Sequence, residues 1–400
     1  MPPSRSPLPK LKLSPRGIAQ LKAGHVWVYR SDLLSADGLA PGSLVEVCDQ
    51  RGKCFGTALY SSSSQIAVRM LAPYPVADLH ELLRHRISDA IAYRSQMVRD
   101  TNAYRVIFSE ADALPGLIVD RYNDILSLQI LTQGMDEASV RDTVVTQLAE
   151  QLRPDSIIER VDPRVRELES LPPCTSEVLR GEKTKTTFAM NSVNFLFDAL
   201  EGQKTGAFLD QRENYAASTA YAHGEALDVF CYQGGFALHL AKSCSRVSGV
   251  DSSRPALEIA DENAALNGRE IEWIEANAFD LLKDLSSSRR LYDTIVLDPP
   301  AFAKTRRDLD AALRGYKELN LRALKMLRSG GVLVTCSCSY HVSQSLFLEM
   351  LSSAALDAHC TLRLVEVRGQ AKDHPILLNV PETGYLKCVI ACVSKAHERQ

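Results

Sequence analysis

The second half of this 400-residue chain alternates short apolar runs with amphipathic stretches, and this rhythm constrains the fold more than any other feature. From about residue 200 the successive segments are EALDVFCY, HLAKSC, RVSGVDSS, ALEIADENAALNG, IEWIEANAFDLLKDL, YDTIVLDPP and, after a basic helical stretch, GGVLVTCSC. Strands that alternate with helices form a parallel, doubly wound α/β sheet with its ligand site at the carboxyl ends of the strands. We therefore expect the chemistry of the chain at that edge of a Rossmann-like sheet.

Two smaller domains are predicted before this sheet. Residues 1–74 show apolar-polar alternation in SLVEVCD, GTALYS and QIAVRML, broken by turn residues, which predicts a small β-barrel-like module. Residues 75–190 combine a helix, strands around the Pro115-Gly116 turn and an antiparallel pair, TTFAMNSVNFLFD, so we expect an α+β domain. Its first helix has a basic face that is either solvated or in contact with phosphates, with Arg84, His85, Arg86, Arg94 and Arg99. The predicted third domain is 191–400.

Composition narrows the classes of protein and of site. The formal net charge is −3, so nucleic acid could be bound only through local basic patches. The N-terminus lacks the apolar segment of a signal peptide, and no run is long enough for a membrane helix. The ten cysteines contain no C-x-x-C pair, which predicts free thiols in a reducing cytoplasm and no metal site.

A glycine turn follows the first strand of the predicted sheet, in LDVFCYQGGF at 227–236. It is not the G-x-G-x-x-G fingerprint that cradles a pyrophosphate, but Gly234 and Gly235 still allow close approach of the backbone to a ligand. The next strand ends at Asp251, where a carboxylate can bind both hydroxyls of a ribose. A nucleoside cofactor without a phosphate loop favours S-adenosylmethionine (SAM) over NAD.

The segment VLDPPAFAK, at 296–304, ends a strand in an aspartate and two prolines. Such a rigid turn fixes the Asp298 carboxylate and the neighbouring carbonyls in the cleft, and it is typical of methyltransferases that act on a flat base or an amine. Phe302 could stack on a base or fill the loop. Beyond the turn, phosphate contact and simple solvation both remain open for Lys304, Arg306, Arg307 and Arg314.

Two cysteines close the strand VLVTCSCSY, at 332–340. Residues i and i+2 of a strand share a face, so Cys336 and Cys338 are expected on one side of the sheet. They could be core residues, half of a metal site, a redox pair or a nucleophile with a neighbour. A structural metal site would need a second pair of ligands, and the sequence shows no obvious pair to join these two cysteines.

Over nearly its full length the chain resembles the bacterial family of 23S rRNA (cytosine-C5) methyltransferases. That family combines a PUA domain, a small central domain and a class I methyltransferase domain. The segments that carry the resemblance are GHVWVYRSDL, VIFSEADALPGLIVDRYNDILSLQ, FLFDALEGQKTGAFLDQREN, LDVFCYQGGF, LDPPAFAK, GGVLVTCSCS and DHPILLNVPETGYLK. The Q-K-T-G-x-F-L-D-Q-R stretch is the most specific of them.

The resemblance implies SAM as cofactor and 23S rRNA, free or in an assembling large subunit, as partner. It implies a cytoplasmic location without a membrane, and it leaves a homodimer open. Asp251 and Ser252 would hold the ribose, and Asn277, Ala278 and Phe279 the adenine. The implied donor site as a whole comprises Gln203, Phe208, Arg212, Asp228, Phe230, Tyr232, Gly234, Gly235, Phe236, Asp251, Ser252, Asn277, Ala278, Phe279, Asp298 and Pro299.

The resemblance also implies the catalytic residues. In families that use a cysteine here, the nucleophile lies seven residues beyond the second glycine of the preceding turn, which from Gly331 gives Cys338. Cys336 would then be a packing residue, and Asp298 would stabilise charge on the base. Related enzymes carry a second cysteine after the D-x-P turn for product release. Ala301 stands there, so release would use Cys336, His341 or water.

Three other functions remain open. An rRNA guanine or adenine N-methyltransferase of the same fold would lack the cysteine at the strand end. A non-catalytic RNA-binding factor for ribosome assembly would fail to bind SAM. A small-molecule methyltransferase would not need the two N-terminal domains.

Overall fold

The structure is a computed structural model, which describes residues 8–200, 207–288, 290–303 and 305–395. The described residues form two compact units. Unit 1 comprises 8–187, 197–200 and 373–383, and unit 2 comprises the remaining described residues. Within the described part of the chain, no helix is both long and apolar enough to cross a membrane.

Unit 1 begins with a six-stranded sheet in the spatial order β2-β6-β5-β4-β1-β3. Burial alternates along β1 and β2, and the buried side chains of the sheet enclose a core that includes Leu11, Val28, Val45 and Val68. The short α1 packs beside this sheet and is capped by Ser14, whose side chain accepts a hydrogen bond from the amide of Gly17. The elements are β1 (Lys10–Leu13), α1 (Pro15–Lys22), β2 (Trp27–Tyr29), β3 (Leu33–Ser35), β4 (Leu44–Cys48), β5 (Cys54–Tyr60) and β6 (Ile66–Ala72).

The rest of unit 1 is a five-stranded mixed sheet, in the order β11-β10-β9-β8-β7, with helices packed on it. Leu83 and Ile87 of the first helix and Val144 of the second are buried against the strands. The elements are α2 (Leu79–Met97), β7 (Ala103–Phe108), β8 (Leu117–Tyr122), β9 (Ile125–Ile130), α3 (Ala138–Leu152), β10 (Ser156–Glu159), α4 (Pro163–Leu168) and β11 (Glu177–Arg180). Short 3₁₀ helices lie at Arg30–Asp32, Ser109–Asp112 and Pro381–Thr383.

The predicted basic face of α2 is wrong for two of its arginines. Arg94 is 1% exposed and forms an ion pair with Asp112. Arg86 donates hydrogen bonds to the carbonyl oxygens of Ala113 and Leu71. Helical spacing could not distinguish these residues from solvated ones, because their partners come from distant parts of the chain.

The expectation that the cysteines are all free thiols is also wrong. Cys48 and Cys54 are joined by a disulfide across the β4–β5 pair, where they are register partners. Five residues separate them in the sequence, and only the strand register brings the two positions opposite each other.

A separate two-stranded sheet is formed by β12 (Lys185–Met190) and β13 (Val193–Asp198), as predicted for TTFAMNSVNFLFD. Asn191 and Ser192 join the strands with φ values of 49° and 61°. Positive φ at both central residues is the geometry of a tight hairpin turn, and asparagine tolerates it well.

Unit 2 is built on a seven-stranded sheet in the order β16-β15-β14-β17-β18-β20-β19. The first five strands in this order are parallel to their neighbours, and β20 is antiparallel to β18 and β19. The elements are α5 (Arg212–Tyr221), β14 (Glu225–Val229), α6 (Gly235–Leu240), β15 (Arg246–Asp251), α7 (Arg254–Leu266), β16 (Glu272–Glu275), α8 (Ala278–Ser287), β17 (Tyr292–Leu297), α9 (Leu309–Met326), β18 (Leu327–Ser337), α10 (Gln344–Asp357), β19 (Cys360–Arg368) and β20 (Lys387–Lys395). Two 3₁₀ helices lie at Leu209–Gln211 and Arg306–Asp308.

The topology of this sheet fixes where a ligand can bind. The chain adds β15 and β16 on one side of β14 and then crosses to the other side for β17 and β18. The central strands are buried on both faces, as a parallel sheet covered by helices requires. The switch point therefore lies between the carboxyl ends of β14 and β17, where doubly wound proteins bind their ligands.

Candidate active site

Three carboxylates meet at the switch point of unit 2. Asp228 lies in β14, Asp251 ends β15, and Asp298 directly follows β17. The amide of Asp298 donates a 3.2 Å hydrogen bond to the carbonyl of Val229, which ties the two strand ends together. Burial raises the pKa of Asp228 well above its ordinary value, and the nearby charges of Asp298 and Asp251 raise it further.

The loop after β14 has an unusual backbone. Phe230 and Tyr232 have φ values of 67° and 49°, and Gly234 has 85°. Non-glycine residues in this region store strain, which persists only where other contacts hold them. Here the Asp251 carboxylate accepts a 2.9 Å hydrogen bond from the amide of Tyr232. Asp251, which ends β15, therefore also holds the loop that follows β14.

Asp228 leaves one oxygen for a ligand. Its Oδ2 accepts a 2.8 Å hydrogen bond from the amide of Ala237, whereas its buried Oδ1 has no partner among the described residues. A buried, unpaired carboxylate oxygen is costly, and an unplaced donor commonly satisfies it. With Asp251 and Asp298 beside it, this oxygen belongs to a group of acidic side chains that suits a cationic ligand with hydroxyl groups. The cationic sulfonium, the ammonium and the ribose of SAM fit this donor set.

The glycine turn also has the predicted character. A side chain at Gly235 would lie 2.5 Å from the hydroxyl oxygen of Tyr215, and Gly234 requires positive φ. Phe236 is buried under the turn and packs edge-on against Tyr215, with ring centroids 4.7 Å apart. Phe236 therefore supports the glycine turn through its contact with Tyr215.

The two residues predicted to hold a ribose differ in their surroundings. Asp251 is half-buried, and its Oδ1 accepts a 2.9 Å hydrogen bond from the amide of Ser253. Ser252 is exposed. Both oxygens of Asp251 accept hydrogen bonds from backbone amides, so Asp251 is the preorganised member of the pair.

The segment predicted to hold the adenine follows β16. The Asn277 side chain caps α8, accepting hydrogen bonds from the amides of Phe279 and Asp280. Ala278 is buried, and Phe279 lies 6.0 Å from the ring of Phe302. The Oδ1 of Asn277 is thus used by the helix cap, and the apolar ring of Phe279 is suited to contact a base.

Phe302 fills its own loop. Its ring centroid lies 4.7 Å from that of Tyr316 on α9, and the side chain packs against two hydrophobic core clusters of unit 2. Of the two roles that the sequence left open, these contacts favour packing over stacking on a base. The basic residues that follow, Arg306, Arg307 and Arg314, are exposed, and Lys304 lies outside the described residues.

The turn Asp298-Pro299-Pro300 lies against the end of β18. Cys338 Sγ is 3.9 Å from the carbonyl oxygen of Pro299. The hydroxyl of Ser339 accepts a 3.1 Å hydrogen bond from the amide of Ala303 and lies 3.0 Å from the hydroxyl of Tyr316. These contacts place Cys338 beside the aspartate turn, where the sequence predicted it.

The two cysteines of β18 occupy different environments. The strand ends at Ser337, so Cys336 lies inside it and Cys338 just beyond it. Cys336 is 0% exposed and faces Cys388 of β20, and burial raises its pKa well above the ordinary value. Cys338 is only half-buried. A nucleophile must be reachable and ionisable, and only Cys338 meets the first condition.

The segment before α5 is described in part. Phe208 is 37% exposed and contacts Tyr232 edge-on, with ring centroids 5.3 Å apart. Arg212 is 1% exposed, so its side chain is enclosed by protein. Gln203 lies outside the described residues.

Sequence reasoning missed two polar residues at this site. Gln211 is buried and donates a 3.0 Å hydrogen bond from Nε2 to Asp298 Oδ1. Lys387 is buried at the start of β20 and donates to the carbonyl oxygens of Ser339 and Tyr385. Both stand in segments of the resemblance, QKTGAFLDQR and DHPILLNVPETGYLK, but a residue type alone did not indicate its partner.

Comparison with known proteins agrees with this geometry. Residues 11–73 match the model of a PUA-like domain, and residues 144–378 match that of an S-adenosylmethionine-dependent methyltransferase. The ribosomal RNA large subunit methyltransferase I of Shewanella denitrificans is 37% identical over 396 residues, which cover 96% of this chain and 99% of the relative. The protein of the same name from Photobacterium profundum is 37% identical, over 92% and 95% of the two chains.

The chain belongs to the ribosomal RNA large subunit methyltransferase I family.

Solved structures show the same fold. The methyltransferase SMU.776 in complex with SAH superposes with a TM-score of 0.82 at 18% identity, covering 96% of this chain and 100% of that one. A SAM-dependent methyltransferase from Streptococcus mutans gives a TM-score of 0.81, also at 18% identity and with the same coverage. The predicted fold, a class I methyltransferase preceded by a PUA-like domain, is confirmed, as is SAM as the cofactor of this family member.

Proposed function

We propose that this chain transfers the methyl group of SAM to C5 of a cytosine in 23S rRNA, through a covalent bond between Cys338 and C6 of the base. The observation that carries the proposal is the position of the Cys338 thiol, 3.9 Å from the Pro299 carbonyl and beside the aspartate turn. An enzyme that methylates a base nitrogen needs no thiol at this place. The relatives named ribosomal RNA large subunit methyltransferase I support rRNA as the substrate class.

The chemistry requires the thiolate because C5 of cytosine is a weak nucleophile. When the Cys338 sulfur bonds to C6, the electron pair of the C5=C6 double bond becomes available at C5. Asp298 stabilises the charge that spreads toward N3 and the 4-amino group. Bound SAM supplies an electrophilic methyl group. Loss of the C5 proton to a base then restores the double bond and expels the Cys338 thiolate.

The base that takes the C5 proton is proposed to be His341 or water. Cys336 is the third candidate from the sequence, but it is fully buried, and burial raises the pKa of its thiol. The thiol therefore stays protonated and cannot accept the C5 proton. His341 is half-buried and follows Cys338 by three residues. Ala301 stands beside the turn and has no ionisable side chain.

The proposed domains are 1–74, 75–190 and 191–400. The first two are proposed to dock the RNA. The PUA-like match at 11–73 supports the first of these. The exposed Arg306, Arg307 and Arg314 are proposed phosphate contacts near the base pocket. The target nucleotide would have to leave any helix to reach Cys338.

The test compares Cys338→Ala with Cys336→Ala. Methyl transfer to 23S rRNA should fall at least about a thousandfold in Cys338→Ala, since the covalent step is lost, while most activity remains in Cys336→Ala. SAM affinity, measured by calorimetry, should be unchanged in both variants. An RNA with 5-fluorocytosine at the target should form an adduct with the wild type and none with Cys338→Ala. Full activity of Cys338→Ala would contradict covalent catalysis and favour an N-methyltransferase.

A further inference from the structure

Lys387 is held by the backbone that surrounds the reactive cysteine. It begins β20, where its register partner on β18 is Ser337. Its Nζ donates hydrogen bonds of 2.6 Å to the carbonyl oxygen of Ser339 and 2.8 Å to that of Tyr385. Because Ser337 and Ser339 flank Cys338, the ammonium group is attached to the turn that carries the thiol.

Lys387 is 7% exposed, and among the described residues its Nζ forms no ion pair with a carboxylate. A buried ammonium group without a counter-charge is costly, and burial lowers the pKa of Lys387 to about 8. The interaction that opposes this shift comes from the charge of Cys338. Cys338 is thus the neighbouring group whose negative charge favours the protonated form of Lys387.

Other titratable groups surround this pair. Asp298 directly precedes Pro299, whose carbonyl oxygen lies 3.9 Å from Cys338 Sγ, so its negative charge disfavours a thiolate there. The Tyr316 phenol on α9 has a pKa raised by burial. Around the strand ends lie Cys336, Tyr340, His341, Tyr385, Cys388 and, bonded to the hydroxyl of Tyr385, Asp210. The positive charge of Lys387 thus opposes the carboxylates that would otherwise favour the protonated thiol.

We propose that Lys387 is a positioning residue whose ammonium group stabilises the thiolate form of Cys338 and fixes the turn after β18. The inference rests on the proposed function, in which Cys338 is the nucleophile. The thiol proton leaves to solvent and gives an ammonium–thiolate pair. When the sulfur bonds to C6 it becomes a neutral thioether and Lys387 keeps its proton, and elimination of the product restores the thiolate.

The experiment measures the rate at which iodoacetamide alkylates Cys338 in the full-length protein between pH 6 and 10. Peptide mass spectrometry distinguishes Cys338 from the other free cysteines. Lys387→Gln keeps N–H donors for the two carbonyls but removes the charge, so alkylation at pH 7 should slow about tenfold as the midpoint shifts up by about one pH unit. Lys387→Arg keeps the charge and should restore most of the rate.

Lys395→Met is the matched control. Lys395 lies on the same strand, and its Nζ donates a 3.0 Å hydrogen bond to the carbonyl of Lys325, remote from Cys338. This variant should leave the alkylation profile of Cys338 unchanged.

An alkylation midpoint in Lys387→Gln equal to that of the wild type would overturn the proposed charge pair. So would a rate in Lys387→Arg as low as in Lys387→Gln, since a lost charge could not then explain the effect. The readout needs no RNA or SAM. If Cys338→Ala kept full methyl transfer, the proposed function would fail, while the thiol titration would still report on the ammonium–thiolate pair.

Discussion

Gln211 Nε2 donates a 3.0 Å hydrogen bond to Asp298 Oδ1, and Gln211 Oε1 accepts one of 2.7 Å from Nδ2 of Asn214. Gln211 and Asn214 are both buried, so this chain of hydrogen bonds holds the Asp298 carboxylate of the D-P-P turn in place. The orientation of Asp298 therefore depends on a helix terminus that lies far from it in the sequence. Positioned groups of this kind matter in catalysis because small misplacements slow the chemical step.

We expect Gln211→Leu to lower the rate of methyl transfer roughly ten- to a hundredfold. A hydrogen bond to a charged group contributes about 1.5–3 kcal/mol, and Gln211→Leu removes one of the bonds that orient Asp298. Single-turnover methylation of 23S rRNA at saturating SAM measures this effect. Thr219→Val, which removes a hydroxyl on α5 that donates to the carbonyl of Tyr215, should keep the normal rate. Equal rates for Gln211→Leu and the wild type would contradict a positioning role.

Asp251→Asn should weaken SAM binding about tenfold or more. The substitution removes a charge, and it replaces one acceptor of the backbone bonds from Tyr232 and Ser253 by an amide donor. Calorimetric titration with SAM or SAH measures the change. Asp280→Asn, at an exposed position in the first turn of α8, should bind SAM normally. If both variants bound SAM as tightly as the wild type, the ribose contact would lie elsewhere.

His239 should make unit 2 acid-sensitive. Its Nδ1 lies 2.7 Å from the carbonyl of Gly235, and burial lowers its pKa to about 4. The unfolded chain, with an ordinary histidine pKa near 6.5, binds the proton first as the pH falls. The free energy of unfolding of unit 2 therefore has its full value above about pH 6.5. It decreases as the pH falls toward 4, by about 2–3 kcal/mol at pH 4.5.

Urea unfolding at pH 7 and pH 4.5 tests this expectation. Trp27 and Trp273 are the two tryptophans, so fluorescence in a Trp27→Phe background reports on unit 2 alone. His239→Gln should lose most of the pH-dependent difference, and His223→Gln, at an exposed position, should retain it. If His239→Gln lost as much stability between pH 7 and pH 4.5 as the Trp27→Phe protein itself, another group would be responsible.

Arg94→Met should destabilise unit 1 by about 3–5 kcal/mol. The guanidinium is buried, pairs with Asp112, and donates to the carbonyls of Arg105 (3.0 Å) and Asp373 (2.9 Å). Its removal leaves a nearly buried carboxylate without its partner. Urea unfolding in a Trp273→Phe background, followed through Trp27, measures the loss. Arg84→Met, at an exposed position of α2, should change stability by less than about 0.5 kcal/mol, and equal losses in the two variants would contradict a special role of Arg94.

The fold of unit 2 could be predicted because its signal is local. The alternation of strands and helices after residue 200 and the double-sided burial of β14 and β17 both follow from short windows of sequence. The left-handed φ values of Phe230 and Tyr232 could not be predicted, since neither residue type favours them. They depend on contacts such as the bond from Tyr232 to Asp251, on the next strand.

The sequence by itself determined the α/β class, the acidic strand ends at Asp251 and Asp298, and Cys338 as the cysteine at the end of β18. Each of these follows from residue types at fixed spacing along one element. Only the tertiary structure decided that Arg94 is buried, that Gln211 holds Asp298 and that Lys387 reaches the turn carrying Cys338. These contacts join residues 18 to 87 positions apart, and a side chain's partner at such separations depends on how strands and helices pack.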